Sequence, residues 1–314
     1  MPKDVHPQIQ AIIDIMAALG VPKIQDMTVH AARSLVDQTA LKRLETYPAP
    51  AVAQVTNTST GAGYGHVPLR IFHPTAAQNT PAIVFFHGGG HVLGSLDSYD
   101  TVTRFLANTT GATVISVDYR MAPESPFPAA VDDCFDATRW ALTNAAALNI
   151  DPAKITVCGD SAGGNLAAVV ALMARDAEIP LAAQILIYPV VDYRGGTPSY
   201  EKYGEGYGVL ETAGVKWLMD RYLPDAAQHD DWRATPKNAT SHKGLAPALF
   251  IIAECDILRD EGTAYEAQLK SAGVSTKIIQ YAGMTHGFFS YLGLVDDAEN
   301  AHRAVADSLK ETLA

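Results

Sequence analysis

Residues 154–178 read KITVCGDSAGGNLAAVVALMARDAE, a buried strand, a tight turn and a helix in immediate succession. The turn, Gly159-Asp160-Ser161-Ala162-Gly163, matches the pattern G-x-S-x-G, in which a strained turn raises a serine hydroxyl above the sheet. A plain glycine-rich turn has the same composition, but the flanking strand and helix favour a reactive serine. Small neighbours prevent clashes with the backbone, and the helix N-terminus favours developing negative charge. The sequence therefore predicts that Ser161 is a nucleophile.

Further apolar runs alternate with helical stretches on both sides of this turn. Helix-like runs such as VDDCFDATRWALTNAAAL (131–148) separate them. Continuous strands rich in Val and Ile that alternate with helices are typical of a parallel sheet covered on both faces, so the fold class is α/β. The predicted strands are AIVFF (82–86), ATVISV (112–117), AAQILIY (182–188), ALFIIAE (248–254) and TKIIQY (276–281).

The first 80 residues depart from this alternation. Apolar residues at helical spacing predict one amphipathic helix that Gly20 ends, and Thr28 is placed to cap a second helix. Alternating patterns at 52–57 and 67–73 then predict an antiparallel hairpin. The glycines between these two strands precede no helix, which excludes a nucleotide-binding loop.

The overall composition narrows the class of protein. The chain has 314 residues, enough to bury a large core. Its 34 acidic and 23 basic residues give a net charge of −11, and no dense Lys/Arg cluster occurs, so nucleic acid is not an expected partner. Polar residues interrupt the apolar positions of residues 1–20, so we expect neither an export signal nor a membrane span, and a cytoplasmic location. The three cysteines lack the spacing of a disulfide framework or zinc site.

A second glycine cluster, His87-Gly88-Gly89-Gly90, directly follows the strand at 82–86. Enzymes with the G-x-S-x-G turn place the second backbone donor for a tetrahedral oxyanion here. Alone the cluster could be a tight turn, but its position upstream of Ser161 favours the donor role. We expect His87 to hold the loop through hydrogen bonds. We expect His91 to line the pocket as a polar residue, with direct substrate contact as the alternative.

The base and the acid follow from chain order, which is nucleophile, acid, base. A group that takes the serine proton must titrate near neutrality, as imidazole does. His286 comes five residues after Tyr281 and is the one histidine of ten in the loop after the last predicted strand. His302 lies in the final amphipathic run, where we expect it to face solvent. Asp256 comes just after the preceding strand and is the first candidate for the acid, with Asp260 and Glu261 as alternatives.

Together these blocks resemble the hormone-sensitive-lipase-like family, also called the bacterial family IV carboxylesterases, of the α/β-hydrolase fold. The similarity extends from about Pro81 to the C-terminus. Ser125 and His91 depart from the residues common in the family, histidine and an aromatic respectively, which affects the fine shape of the pocket. The blocks that carry the resemblance are HGGGHVLGSLDSYD (87–100), YRMAPESPFPAAVDD (119–133), GDSAGGNLAA (159–168), DILRDEG (256–262) and GMTHGF (283–288).

The resemblance implies roles for individual residues and segments. It implies a mostly parallel sheet with helices on both faces, N-terminal cap helices at 1–50, a catalytic domain at 51–194 and 240–314, and a cap insertion at 195–239. The two cap segments would cover the acyl site. The residues that it implies are the triad Ser161, Asp256 and His286, the oxyanion-hole donors Gly89, Gly90 and Ala162, and the supporting motif residues His87, Gly88 and Asp160.

These features predict a carboxylesterase that hydrolyses short- to medium-chain acyl esters through a covalent acyl-enzyme. The expected partner is a small-molecule ester, no metal or organic cofactor is expected, and the resemblance suggests a homodimer. The tyrosine and tryptophan residues of the insertion are expected to pack the insertion onto the catalytic domain or to line a pocket of moderate size. An amidase or peptidase remains an alternative, because a triad does not dictate which acyl bond is cleaved. A ligand-binding protein on a hydrolase scaffold is disfavoured by His286.

Overall fold

One sheet of eight strands organises residues 4–208 and 210–313, which are the residues that the computed structural model describes. The strand order is β1-β2-β4-β3-β5-β6-β7-β8, with β2 antiparallel to both of its neighbours and all other pairs parallel. The strands are β1 (Gln54–Ser59), β2 (Pro68–His73), β3 (Thr80–Phe86), β4 (Thr113–Val117), β5 (Ile150–Asp160), β6 (Ala183–Ile187), β7 (Ala248–Cys255) and β8 (Thr276–Thr285).

Helices cover both faces of this sheet, as the α/β-hydrolase prediction requires. Side chains of α4, α5 and α8 belong to the core on one face, and those of α3 and α9 belong to the core on the other. The helices are α1 (Pro7–Ala18), α2 (Val29–Arg43), α3 (Asp100–Thr110), α4 (Ala129–Thr143), α5 (Ala162–Asp176), α6 (Pro198–Tyr203), α7 (Thr212–Tyr222), α8 (Arg259–Ser271) and α9 (Asp296–Leu313).

The central strands are continuous apolar runs because both of their faces are covered. Every residue of β4 and β6 is buried, whereas β1, at the edge, is almost entirely exposed. Each large aliphatic side chain that is fully buried in this way contributes about 1.5–3 kcal/mol. The buried sheet therefore fixes the positions of the carboxyl ends of β5, β7 and β8. The candidate catalytic residues directly follow those ends.

The N-terminal segment folds as predicted. Gly20 ends the first helical segment with a left-handed φ of 60°, and the Thr28 hydroxyl accepts a hydrogen bond from the Ala31 amide at 3.2 Å. Strands β1 and β2 pair in antiparallel register from Gln54–His73 to Ser59–Pro68. The predicted pair of helices and the hairpin are both confirmed.

The segment 195–239, which is predicted to be a cap insertion and is called the insertion below, contains α6, α7 and short 3₁₀ turns. No strand occurs in its described residues. Helix α7 packs against the 3₁₀ turn Ile24–Asp26, which lies between α1 and α2. The insertion and the N-terminal helices therefore touch each other. Of the helices in the described part of the chain, none has the length and apolar character needed to cross a bilayer.

The prediction that His302 faces solvent is wrong. Its ring is fully buried in α9, stacked on Phe289 with 3.7 Å between ring centroids and edge-on to Phe105. His302 lies in the apolar stripe that α9 packs against α3, together with residues such as Val305. Burial lowers the pKa of His302 to about 3, so the ring is neutral in the folded protein.

Candidate active site

Ser161 occupies the corner between β5 and α5. Its φ of 57° and ψ of −116° lie outside the regions favoured by L-residues, a strain of about 1–3 kcal/mol that the surrounding structure must hold. The flanking glycines are required sterically. A Cβ on Gly159 would overlap the carbonyl oxygen of Gly163, and a Cβ on Gly163 would overlap that of Phe86. The tightness of the turn therefore explains Gly159, and the close approach of the turn to β3 explains Gly163.

A continuous chain of hydrogen bonds joins Ser161, His286 and Asp256. The Ser161 hydroxyl oxygen lies 2.8 Å from His286 Nε2, and His286 Nδ1 lies 2.7 Å from Asp256 Oδ2. Asp256 is buried, and its other oxygen accepts a hydrogen bond from the Leu258 amide at 2.9 Å. A buried carboxylate in this position fixes the imidazole tautomer and stabilises the imidazolium that forms when a serine loses its proton.

The two alternative acids lie elsewhere. Asp260 accepts a hydrogen bond from the Ser199 amide at 2.8 Å and pairs with Arg259 at 2.7 Å, so it ties α6 of the insertion to α8. Glu261 is buried and accepts hydrogen bonds from the amides of Val191 and Asp192. Burial raises the pKa of Glu261 well above its usual range. Its role in holding the loop after β6 has no sequence signal, because an acidic residue in the first turn of a helix is already explained by the helix dipole.

Asp160 joins the serine turn to the glycine-rich loop. It accepts hydrogen bonds from the Gly88 amide and from the Tyr99 hydroxyl, each at 2.9 Å. Burial raises the pKa of Asp160 to about 6, against the lowering effect of the Tyr99 and Gly88 hydrogen bonds. His87 bonds the Gly88 carbonyl at 2.8 Å and stacks on Tyr119, and burial lowers its pKa to about 4. Both side chains therefore contact the backbone of the glycine-rich loop.

The expected oxyanion donors present free amides. Gly89 and Gly90 adopt positive φ angles of 112° and 65°, and Ala162 is the first residue of α5. Within the described residues, none of these three amides donates to a backbone or side-chain acceptor. Gly90 and Ser161 line the same cavity. Of the three residues, Gly90 therefore borders the space beside Ser161, and Ala162 directly follows Ser161 in the chain.

The prediction that His91 lines the pocket is wrong, because the side chain is buried and is not among the described residues that line the cavity at Ser161. It stacks on Tyr222 with 3.7 Å between ring centroids, and its Nε2 lies 2.7 Å from the Tyr193 hydroxyl. Burial lowers the pKa of His91 to about 3. His91 thus connects the loop to the insertion. Among the aromatic residues near the insertion, Tyr193 lines the cavity at Ser161, whereas Tyr203 and Tyr222 are buried in packing.

A family model described as the α/β-hydrolase fold matches residues 83–290, which include Gly89, Gly90, Ser161, Asp256 and His286. The chain belongs to the α/β-hydrolase family. Within it, the chain falls in the hormone-sensitive-lipase-like group, bacterial family IV, which confirms the resemblance seen in the sequence.

Two curated relatives are named as ester hydrolases. The chain is 40% identical over 258 residues to an ethyl acetate hydrolase of Pseudomonas putida, covering 79% of this chain and 80% of the relative. It is 38% identical over 286 residues to the carboxylesterase NlhH of Mycobacterium tuberculosis, covering 88% and 89%. A hyperthermophilic esterase of Pyrobaculum calidifontis superimposes with a TM-score of 0.93 at 38% identity, over 100% of this chain and 99% of that one. The protein is a serine hydrolase of carboxylic esters.

Proposed function

We propose that this α/β-hydrolase cleaves short- to medium-chain acyl esters through a covalent acyl-enzyme, with Ser161, His286 and Asp256 as its triad. The observation that carries the proposal is the unbroken hydrogen-bond chain from Asp256 through His286 to the Ser161 hydroxyl. The same constellation performs acyl transfer on several unrelated folds, so geometry is its defining property.

In the first half of the reaction, Ser161 Oγ forms a bond to the ester carbonyl carbon while His286 Nε2 takes the hydroxyl proton. The carbonyl oxygen becomes an oxyanion and accepts hydrogen bonds from the amides of Gly89, Gly90 and Ala162. The bond to the alkoxy oxygen then breaks, and His286 gives its proton to the departing alcohol. Loss of one such donor typically lowers kcat by about 10²–10³.

In the second half, water attacks the carbonyl carbon of the acyl-enzyme. His286 takes one proton from that water, the bond between the carbon and Ser161 Oγ breaks, and the proton returns to Oγ. The products are the carboxylic acid and free enzyme. Asp256 accepts the hydrogen bond from His286 Nδ1 in both halves and stabilises the imidazolium each time it forms.

The proposed limit on acyl length is supported by the space at the nucleophile. The cavity that contains Ser161 has a volume of about 30 Å³, and Tyr193, Leu218 and Met219 form part of its wall. This volume admits about two groups of the size of water or methyl. The segment 195–239 supplies Leu210, Leu218 and Met219 to this wall and would thus restrict the acyl length. We propose that the segment 1–50 helps to cover the active site.

The test of the triad is covalent labelling. A fluorophosphonate is expected to add once to the folded protein, at Ser161, because only an activated hydroxyl attacks phosphorus readily. Intact-mass spectrometry measures the adduct, with Ser161→Ala, Ser241→Ala and unfolded wild-type protein as controls. Labelling that persists in Ser161→Ala, or that is absent from folded wild type, would contradict the proposal.

A further inference from the structure

A second cavity is a groove between α1 and α2 with a volume of about 440 Å³. We propose that this groove binds the alcohol part of the ester and that the small cavity at Ser161 binds the acyl part. The preferred substrates are then short-acyl esters of large apolar alcohols. The inference rests on the proposed triad and adds to it the division of the substrate between two sites.

The small cavity cannot take a long chain. Leu218 of α7 lies directly over the glycine-rich loop, since a Cβ on Gly90 would stand 2.5 Å from Leu218 Cδ1. Met219 and Leu258 close further parts of the same wall. A chain longer than a few carbons would have to displace α7, whose Trp217 is buried against the body. The acyl group that fits without such a displacement is of about acetyl to propionyl size.

The groove has the size and surface to hold a larger group. Its volume falls in the range of small-molecule sites, about 300–1,000 Å³. Apolar side chains from both cap helices and from the loop after the glycines line it, among them Met16, Val36 and Leu93. Among the described lining residues, Lys23 and Glu211 are the charged ones, and they pair with each other at 2.7 Å. The surface therefore suits an uncharged apolar group.

The position of the groove relative to the loop that carries His286 assigns it to the alcohol part of the ester. His286 must protonate the departing alkoxide, so the alcohol lies on the side of the base loop. Gly208, which lines the groove, borders that loop: a Cβ on Gly208 would lie 3.8 Å from Thr285 Oγ1 and 3.7 Å from Ile13 Cγ1. Thr285 directly precedes His286. The groove thus borders the residue that precedes the base, whereas the described lining of the small cavity includes no residue of the base loop.

A pair of isomeric esters tests the division. Octyl acetate and ethyl octanoate have equal composition and nearly equal apolar surface, so general hydrophobic binding does not separate them. We expect kcat/KM for octyl acetate to exceed that for ethyl octanoate by at least about tenfold, because only the first places its long chain in the groove. An equal or reversed preference in wild-type protein would overturn the inference.

Matched variants locate the effect. Val36→Trp fills the groove and should lower the ratio of octyl acetate to ethyl acetate turnover by about tenfold, whereas Leu41→Trp, on the same helix with 61% of its surface exposed, should leave it unchanged. Leu218→Ala should raise kcat/KM for ethyl octanoate. An equal loss for both isomers in Val36→Trp would contradict the assignment, and if that variant fails to fold, the wild-type comparison decides. Failure of the triad proposal is distinguishable, because hydrolysis would then persist in Ser161→Ala.

Discussion

Asp256 and Asp260 are four residues apart, yet their carboxylates make different contacts. Asp256 closes the hydrogen-bond chain through His286 to Ser161. Asp260 sits in the first turn of α8, where the dipole favours a negative charge, and holds the Ser199 amide of the insertion. A substitution that removes charge while keeping shape therefore has a different consequence at each position.

Asp256→Asn should keep the fold but leave the His286 imidazole in the wrong tautomer, so kcat should fall by about 10⁴. Asp260→Asn keeps an acceptor for Ser199 and should cost about 0.3–1 kcal/mol in the free energy of unfolding, with near-normal turnover. Steady-state kinetics and urea unfolding of both variants measure these effects. Normal turnover in Asp256→Asn with loss in Asp260→Asn would transfer the role of acid to Asp260.

At the scale of the element, Arg33 is one of the side chains that anchor α2 to the loop behind the proposed oxyanion hole. Arg33 donates to the carbonyl oxygens of Val92 and Ala122, at 2.8 and 2.9 Å, and its guanidinium makes two bonds to Glu124. The planar fork of arginine suits this arrangement, and lysine cannot reproduce it. The Glu124 side chain is 62% exposed, so the carbonyl bonds dominate the anchorage.

Arg33→Lys should lower the free energy of unfolding by about 1–3 kcal/mol, because two carbonyl groups lose their donors. Glu124→Gln should cost less than about 1 kcal/mol, since it weakens only an exposed ion pair. Urea denaturation of the two variants compares them directly. A larger loss in Glu124→Gln would show that the ion pair, and not the carbonyl bonds, fixes α2.

The pattern of apolar residues in the sequence predicted the helices and strands whose residues are buried continuously or at a regular spacing. The serine turn and the hairpin depend on spacing within a few residues, and both were predicted correctly. The position of His302 was predicted wrongly because histidine is polar. Its helical spacing from Ala298 and Val305 puts it on the apolar face of α9. The burial of His91 had no such signal, since its partners Tyr193 and Tyr222 lie more than a hundred residues away in sequence and only the fold brings them together.

At the scale of the whole molecule, three buried neutral histidines link folding to pH. Burial lowers the pKa values of His87, His91 and His302 to about 4, 3 and 3, whereas histidine in an unfolded chain titrates near 6.5. Below about pH 6.5 the unfolded chain binds protons that the folded protein does not, so stability falls as the pH falls. Asp160, with its pKa raised to about 6, acts in the opposite direction.

His302→Phe isolates one of these contributions. Phenylalanine can stack on Phe289 as the imidazole does, but it binds no proton in the unfolded state. Between pH 7.5 and pH 5, the variant should lose less free energy of unfolding than wild type by about 2 kcal/mol, at about 1.4 kcal/mol per pH unit below 6.5. Urea unfolding at both values measures it, with His30→Phe on the surface of α2 as the control. Equal losses in wild type and His302→Phe would show that the ring does not contribute.

The proposed triad and the walls of the two cavities belong to different stretches of chain. Ser161, Asp256 and His286 follow strands of the rigid sheet, whereas the groove is lined mainly by the N-terminal helices and the small cavity partly by the insertion. A mutation in either cap segment therefore alters the shape offered to a substrate while the bond-breaking atoms stay in place. In evolution, single substitutions in these segments can therefore change the substrate range of the protein while its catalytic residues are kept.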